Sequence, residues 1–366
     1  MSQASPRVIH VLAPAAYGGA EAVVETLVRQ QGARAAVATL LQTPGPHPFV
    51  AALRNAGVDV HEIRCGRRQY RREARALASL MTAQGADVVH SHVYHADLVG
   101  YAAARIAALP IVSTVHGFTG GGLKNRIYEW LDLRALARMQ AVIAVSGSVR
   151  DRVIRAGCAP ERVHLIPNAV GGLPPADRSA ARRALGLNLA ASVVGWVGRL
   201  SREKGPDLFV GALESLGPRV PNAVLIGDGD EAIGLAGRID SAGLGGVVRL
   251  AGAVPNAGRL LPAFDVLVLS SRTEGTPIIL LEAMAARVPV VAFAVGGIPD
   301  VLDDGSAWLV APDDVAALGR AVRAVLDDPD EARRRTAAAA RILRTRFDAG
   351  DWVTRVDAVY QEVVGQ

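Results

Sequence analysis

Short apolar runs recur along the chain, and most are followed by a turn and a segment with helical spacing. The runs are apolar throughout rather than alternating, which is typical of strands buried on both faces of a parallel sheet. The predicted strands are 7–13, 35–40, 58–63, 88–90, 111–114, 141–145, 192–198, 224–226, 247–251, 265–270 and 288–293. Strands that alternate with helices predict a doubly wound α/β fold with right-handed crossovers.

A chain of 366 residues is too long for one ordinary core, so we expect two domains of roughly 150–200 residues each. A Gly/Pro-rich stretch between 171 and 178 predicts the boundary. The first domain is then 1–170 and the second is 171–347. The last segment carries Trp352, Val356 and Tyr360 at helical spacing, which predicts a helix with one apolar face.

The composition narrows the class of protein. Two cysteines, Cys65 and Cys158, argue against a disulfide framework and for a reducing compartment. No apolar run reaches the length of a membrane span, so we predict a soluble, cytoplasmic protein. The net charge of +5 is small and aromatic residues make up 4%, which argues against nucleic-acid binding. Only two of the 40 basic residues, Lys124 and Lys204, are lysines.

The segment 265–300 carries the strongest chemical signal. A buried strand leads into a polar loop that contains Glu274 and Gly275, and Thr276 and Pro277 then predict an N-cap and a first helical turn. Free N–H groups at such a helix start, near Ile278 and Ile279, form an anion site. Glu274 and Glu282, eight positions apart, can accept hydrogen bonds from hydroxyl groups. A phosphate site beside two hydroxyl acceptors predicts a sugar-nucleotide pocket.

Three further strand ends carry candidate ligand-binding groups. Gly198, Arg199 and Lys204 follow one strand, where a guanidinium fork and an ammonium group can converge on a diphosphate. Gly18 and Gly19 follow the first strand, where bare backbone can approach a phosphate; a plain βα turn is an equal alternative. His116 follows the strand 111–114 and precedes a glycine-rich loop, 117–122, that with Lys124 would border an acceptor.

A basic segment lies between 64 and 75, with six arginines around one acid. It is either a solvated helix face in an arginine-rich chain or a patch for anionic lipid or polyprenyl phosphate.

These motifs resemble those of retaining family 4 glycosyltransferases. The likeness rests on Gly18-Gly-Ala-Glu, on His116-Gly-Phe, on Gly198-Arg-Leu with Lys204-Gly, and on Glu274 with Glu282, and it extends over nearly the whole chain. It implies a GT-B fold, in which two Rossmann-like domains face a central cleft. It also implies that the C-terminal helix, 348–366, returns to the first domain.

The resemblance further implies a nucleoside diphosphate sugar as donor, retention of anomeric configuration, and no metal or cofactor. Arg199 and Lys204 would bind the diphosphate, Glu282 the ribose and Glu274 a sugar hydroxyl, with His116 beside the donor sugar. Gly227 and Asp228 would belong to the loop near the base rather than to a metal-binding D-x-D motif. The acceptor would be a lipid-linked saccharide, a polysaccharide precursor or a small glycoside, with possible peripheral contact of the protein with an anionic membrane.

Two alternatives stay open at this point. A sugar-nucleotide 2-epimerase can use the same fold, although the combination of Arg199, Lys204 and the two glutamates argues against it. A non-catalytic subunit that binds a nucleotide sugar is the other, and the full set of candidate residues argues against that.

Overall fold

The computed structural model describes residues 5–14, 18–66, 68–118, 123–171 and 175–365. Most of the glycine-rich loop, at 119–122, and part of the predicted linker, at 172–174, lie outside the described residues, as does the side chain of Lys124. The chain divides into two compact units. Unit 1 comprises Met1–Ala169 with Ala349–Gln366, and unit 2 comprises Val170–Asp348.

Unit 1 contains a seven-stranded parallel sheet in the order β3-β2-β1-β4-β5-β6-β7. Its strands are β1 Val8–Leu12, β2 Ala35–Leu41, β3 Asp59–Arg64, β4 Val88–His92, β5 Ile111–Val115, β6 Ala141–Ala144 and β7 Val163–Leu165. Its helices are α1 Gly19–Gln31, α2 Pro48–Asn55, α3 Tyr70–Ala83, α4 Tyr94–Ala107, α5 Leu123–Leu136, α6 Gly147–Arg155 and, from the C-terminus, α14 Ala349–Val364.

Unit 2 contains a six-stranded parallel sheet in the order β10-β9-β8-β11-β12-β13. Its strands are β8 Val193–Val197, β9 Asn222–Ile226, β10 Val248–Leu250, β11 Val266–Leu269, β12 Val290–Phe293 and β13 Trp308–Val310. Its helices are α7 Arg178–Ala184, α8 Pro206–Glu214, α9 Ala232–Ser241, α10 Ile278–Ala286, α11 Ile298–Val301, α12 Val315–Asp327 and α13 Pro329–Arg346.

The C-terminal helix α14 belongs to the core of unit 1. Trp352, Val356, Val359 and Tyr360 are buried, and the helix packs on α1 and β4. These residues recur at helical spacing, so a single face of α14 is removed from water. The apolar pattern in the sequence therefore reports a packing face.

In both sheets the strand order reverses beside the first strand of the unit. The reversal lies between β1 and β4 in unit 1 and between β8 and β11 in unit 2. Loops at the carboxyl ends of such neighbouring strands diverge to opposite faces of the sheet and leave a crevice, which is where doubly wound folds bind ligands. The topology therefore directs attention to the loops that follow these four strands.

The cysteines and the helix lengths bear on the expectations from composition. Cys65 and Cys158 are free thiols, and both are buried. Among the described helices, none has the length and apolar character that crossing a bilayer requires.

Candidate functional site

In unit 2, the loops after β8, β9 and β11 pack together through their backbones. Gly227 has φ +146°, and a Cβ there would lie 1.7 Å from the carbonyl oxygen of Gly198. Gly205 has φ +62°, and a Cβ there would lie 2.1 Å from the carbonyl oxygen of Ser270. Any larger residue at either position would separate two loops, so these glycines fix the distance between the segments that carry the candidate residues.

Lys204 and Glu274 form an ion pair in this crevice. Nζ of Lys204 donates to both carboxylate oxygens of Glu274, at 2.7 and 2.8 Å, and the Ser271 hydroxyl donates to Oε1 at 2.7 Å. The Glu274 side chain is 6% exposed, whereas that of Lys204 is 28% exposed. From the sequence we expected Lys204 and Glu274 to contact different parts of a ligand. In the structure the two side chains contact each other. Lys204 keeps an exposed side from which it can still reach an anion.

Arg199 has no comparable partner. Its side chain is 61% exposed, and its only ion-pair contact within the described residues is a long one, 3.9 Å to Glu203. A guanidinium in this state is available to an incoming anion at little cost in broken contacts.

Arg272 is a residue that the sequence analysis missed. Its guanidinium makes a two-pronged contact with Asp207, at 2.8 and 2.7 Å, and also donates to the carbonyl of Arg202 at 2.8 Å. These bonds hold the pKa of Asp207 below its usual range. Because Arg202 begins the single turn that ends at Lys204, Arg272 anchors the loop that carries the lysine. No local signal distinguished this arginine from the many others.

Helix α10 begins one residue later than predicted. The N-cap residue is Pro277 and no side chain caps it, so the predicted Thr276 cap is wrong; the helix starts at Ile278. The N–H groups of Ile278 and Ile279 belong to the first turn, where helix geometry offers them no partner inside the helix. The predicted anion site therefore moves with the helix start to Ile278, with Gly275 and the buried Thr276 leading into it, and it stays a prediction.

Glu282 lies in the second turn of α10 with an unpartnered acid group. The described residues include no hydrogen-bond or ion-pair partner for its side chain, and burial raises its pKa to about 7. The close neighbour of the carboxyl group is Gly258, where a Cβ would lie 2.4 Å from Cδ of Glu282. The acid therefore rests against bare backbone, and hydroxyl donors would stabilise its ionised form.

Gly296 and Gly297 lie against the loop that carries Glu274. Its φ is +56°, and a Cβ there would lie 1.9 Å from the carbonyl oxygen of Glu274. The N–H of Gly297 donates to the carbonyl of Gly275 at 3.0 Å. These glycines approach the Glu274 loop rather than open space, so they fix the position of the acid.

Asp228 is exposed, and its Oδ1 accepts the N–H of Gly229 at 2.8 Å.

In unit 1, Gly18 is the N-cap residue of α1, and its N–H donates to Oε2 of Glu21 at 3.1 Å. Gly19, predicted to lie in the turn, is instead the first residue of the helix. Gly18 alone is therefore left as non-helical backbone of that pair.

A row of buried histidines occupies one face of the unit 1 sheet. His10 pairs in register with His90, and His92 follows two residues later on the same face of β4. Nδ1 of His10 lies 3.1 Å from Nε2 of His92, and Nδ1 of His92 lies 3.2 Å from Nε2 of His116. The predicted site residue His116 is thus the end of a chain of imidazoles.

At its other end, the chain of imidazoles is hydrogen-bonded through Gln31 to the C-terminal helix α14. Nε2 of His10 lies 2.8 Å from Oε1 of Gln31, and Nε2 of Gln31 donates to Asp357 at 3.2 Å. Asp357 also pairs with Arg34. Burial lowers the pKa of His10 and of His116 to about 4, and it lowers the pKa of His92 as well. All three rings are therefore neutral at pH 7.

Neutral rings in a chain have only one consistent set of proton positions. Because Gln31 donates to a carboxylate, its amide oxygen faces His10, so Nε2 of His10 carries a proton. Nδ1 of His10 is then an acceptor and Nε2 of His92 a donor, and the same step repeats from His92 to His116. Nε2 of His116 donates within the chain, and its Nδ1 is left as a bare acceptor.

Three of these histidines also have the proximity of metal ligands. His10, His90 and His92 each offer a nitrogen within 4.8 Å of the others. However, both nitrogens of His90 are engaged, at 2.5 Å from the Tyr360 hydroxyl and 2.7 Å from the Thr114 hydroxyl. Since His10 and His92 use both of theirs in the chain, the six nitrogens fit a hydrogen-bond network better than a metal centre.

Family models match both halves of the chain. The model described as Glycosyltransferase Family 4 matches residues 17–171, and the model described as Glycosyl transferases group 1 matches residues 177–342. Alpha-maltose-1-phosphate synthase from Mycolicibacterium smegmatis is 32% identical over 289 residues, which are 70% of this chain and 74% of that protein. The chain belongs to glycosyltransferase family 4.

Two further comparisons agree with this assignment. The 2-deoxystreptamine N-acetyl-D-glucosaminyltransferase from Streptomyces fradiae is 32% identical over 314 residues, 80% of this chain and 74% of that protein. The crystal structure of Anabaena Alr3699/HepE in complex with UDP and glucose matches with a TM-score of 0.85 at 23% identity, covering 98% of this chain and 100% of that chain. At this identity the match establishes the fold, and the predicted GT-B class is confirmed.

Proposed function

We propose that this family 4 glycosyltransferase moves a sugar from a nucleoside diphosphate sugar to an acceptor hydroxyl with retention of configuration. The observation that carries the proposal is the arrangement after β8 and β11 of unit 2. There Lys204 and Arg199 precede one helix, and Glu274 and Glu282 flank the first turn of another, α10, which begins at Ile278. Cations and helix N–H groups suit a diphosphate, and carboxylates suit sugar hydroxyls.

Each group has a defined part in the proposed reaction. Arg199 and Lys204 stabilise the negative charge that develops on the leaving diphosphate as the C1–O bond breaks, and the N–H groups of Ile278 and Ile279 add to this. Glu282 accepts hydrogen bonds from the ribose hydroxyls, and Glu274 accepts one from a hydroxyl of the donor sugar. Gly198, Gly227 and Asp228 border the nucleotide.

In unit 1, His116 accepts a hydrogen bond from a sugar hydroxyl through Nδ1. The hydrogen-bonded chain from Gln31 through His10 and His92 to His116 supports this role, because it leaves Nδ1 of His116 without a proton. Gly18 supplies bare backbone near the donor phosphates, and Gly19 an N–H group in the first turn of α1.

We propose a uridine nucleotide as the first donor to test. The support is the fold match to a protein that binds UDP and glucose. We also propose that transfer needs no divalent metal. The support is that Asp228 belongs to a Gly-Asp-Gly loop that resembles the loop near the base in this family, and that its Oδ1 already accepts the N–H of Gly229 at 2.8 Å.

For the acceptor we propose a lipid-linked saccharide or polysaccharide precursor, used by a cytoplasmic enzyme at the inner face of a membrane. The support is the start of α3 and the residues just before it, where Arg68, Arg71, Arg72 and Arg75 are exposed and make no ion pair with the described residues. A small glycoside is the second candidate, because the name of the Streptomyces fradiae relative contains 2-deoxystreptamine.

Hydrolysis of the donor tests the proposal without a known acceptor, since water competes for the activated sugar. A panel of UDP-α-sugars is incubated with the protein, and proton NMR records the first-formed sugar. We expect slow release of the α anomer. A β anomer would contradict retention, a 2-epimer would support the epimerase, and no product from any donor would favour a non-catalytic subunit.

A further inference from the structure

Two hollows adjoin each other on unit 1, outside the loops described above. The larger, about 880 Å³, lies among α3, α4 and α5 and is lined mainly by aliphatic side chains such as Leu98, Ile106 and Leu131. The smaller, about 480 Å³, is lined by residues 68–72 and 75, four of which are arginines. Arg68, Tyr70, Arg71 and Arg75 line both, so the two hollows form one continuous surface.

The apolar hollow is surrounded by large hydrophobic side chains that remain in water. Of the residues that line it, Ile106 is 59% exposed and Ile127 is 52% exposed, and Tyr70 and Leu131 are also exposed. Few other large hydrophobic residues of the described chain have side chains as exposed to solvent as these. A contiguous exposed apolar surface of this kind marks a site that a ligand or partner covers.

The basic hollow carries uncompensated positive charge. Arg68, Arg71, Arg72 and Arg75 are exposed and form no ion pair within the described residues. Glu73, the acid of this stretch, does not neutralise them, because it is buried and its Oε2 lies 2.8 Å from Nε2 of His95. Guanidinium groups at the first turns of a helix are well suited to a phosphate, which accepts two hydrogen bonds from each fork.

We propose that these adjoining hollows bind a lipid phosphate. The phosphate or diphosphate lies against the arginines of α3, and the hydrocarbon chain lies in the apolar hollow between α3 and α5. The occupant must be anionic at one end and apolar along its length, which describes a polyprenyl or acyl phosphate. Its part as the carrier of the acceptor sugar rests on the proposed function, whereas its binding does not.

The experiment measures equilibrium binding of farnesyl phosphate to the whole protein by titration calorimetry, below the concentration at which the probe aggregates. Farnesol and inorganic phosphate are the comparators, since each retains one half of the ligand. We expect farnesyl phosphate to bind at least tenfold more tightly than either. Affinity no better than that of farnesol or of phosphate alone would overturn the proposal, as would binding only to anionic vesicles.

Two variants and two matched controls locate the site. Arg71→Glu removes charge from the basic hollow, and Ile127→Asp places charge in the apolar one; both residues are exposed, so folding should survive. Arg155→Glu on α6 and Ile233→Asp, whose parent is 90% exposed on α9, make the same changes elsewhere. We expect the first pair to lose at least tenfold in affinity and the controls to keep it. Equal behaviour of all four would contradict the proposal.

UDP binding by the same variants separates the two hypotheses. Lipid binding without binding of UDP or of GDP, ADP, dTDP or CDP would contradict the proposed function and leave this site standing. UDP binding without specific lipid binding would contradict the site and leave the function standing.

Discussion

In unit 2 the candidate site is built from opposite charges, whereas in unit 1 it is built from neutral rings. Lys204 and Glu274 face each other at 2.7 Å, with Arg199 exposed nearby in the chain. In unit 1, His10 and His92 are buried and His116 is partly buried, and the pKa values of all three are lowered so that they carry no charge at pH 7. The first arrangement suits a ligand with phosphate groups, and the second suits a ligand that offers only hydroxyls.

The difference also predicts how each site responds to damage. Removal of one charge from a buried pair leaves the other uncompensated, which is costly at once. In the histidine chain of unit 1, removal or protonation of one ring changes which nitrogens of the other rings carry protons. Most of the packing around the rings is kept.

Lys204→Ala should have the largest effect. The substitution leaves the buried Glu274 carboxylate without its ion-pair partner, so we expect the free energy of unfolding to fall by about 3–5 kcal/mol. Loss of a cation beside the leaving diphosphate should lower kcat by about 10²–10³. Denaturant titration and donor hydrolysis measure the two. Arg199→Ala is the control, and it should lower kcat with little change in stability because Arg199 is exposed.

Mild acid should destabilise unit 1 through its histidines. The pKa of His10 and of His116 is about 4 in the folded chain, below the usual 6.5, so the unfolded chain binds protons first. Stability is therefore intact above about pH 6.5 and falls as the pH drops toward 4, by about 2 kcal/mol for each ring between pH 7 and pH 5. Amide hydrogen exchange in β1 and β4 measures this. Constant protection down to pH 5 would contradict neutral burial.

Arg272→Leu should release the loop that carries Lys204 without touching the ligand itself. Two bonds to Asp207 and one to the carbonyl of Arg202 are lost, which we expect to cost about 2–3 kcal/mol of stability. The Michaelis constant for donor should rise, because the lysine is no longer held in place. Arg323→Leu, on α12, is the comparison for loss of an arginine; an equal effect on donor affinity there would argue against a positioning role.

Gly258→Ala should weaken nucleotide binding about tenfold, or about 1.4 kcal/mol. The added Cβ would lie 2.4 Å from Cδ of Glu282 and so force the carboxyl group to move. Gly234→Ala is the matched control, because a Cβ there meets nothing within 4 Å. Calorimetric titration with UDP distinguishes them, and equal affinities would show that Glu282 does not contact the nucleotide.

The pH dependence of the same binding is the smallest test. The pKa of Glu282 is about 7 in the free protein, and ribose hydroxyls should favour the ionised carboxylate. We therefore expect nucleotide affinity to rise with pH, by about tenfold at most between pH 6 and pH 8. Glu282→Gln should remove that rise. A slope that survives the substitution would have to come from another group.

The sequence was sufficient for the fold, and it selected the charged residues of a candidate site whose role stays a prediction. Apolar runs and helical spacing predicted two parallel sheets, and local motifs identified Arg199, Lys204, Glu274 and Glu282. These residues follow strands whose carboxyl ends can be predicted from the local sequence. The start of α10 was wrong by one residue because a Thr-Pro pair fits two cap registers equally well.

The histidine chain was beyond that reasoning for a physical reason. The spacing of His90 and His92 predicts a shared strand face, but their partner His10 is set by the pairing of β1 with β4. Its anchor, Asp357, is distant in sequence and joins through the packing of α14. Gly258 was missed for the same reason, since its neighbour Glu282 belongs to another element.

The most direct test of the central claim is nucleotide binding by unit 2 without added metal. Thermal stabilisation of the whole protein is measured against UDP, GDP, ADP, dTDP and CDP and their sugars, and then with Lys204→Ala and Glu282→Gln. We expect a rise in melting temperature with a uridine nucleotide that grows with the ratio of ligand to Kd and is reduced in both variants. No rise with any nucleotide, or an equal rise in the variants, would contradict it.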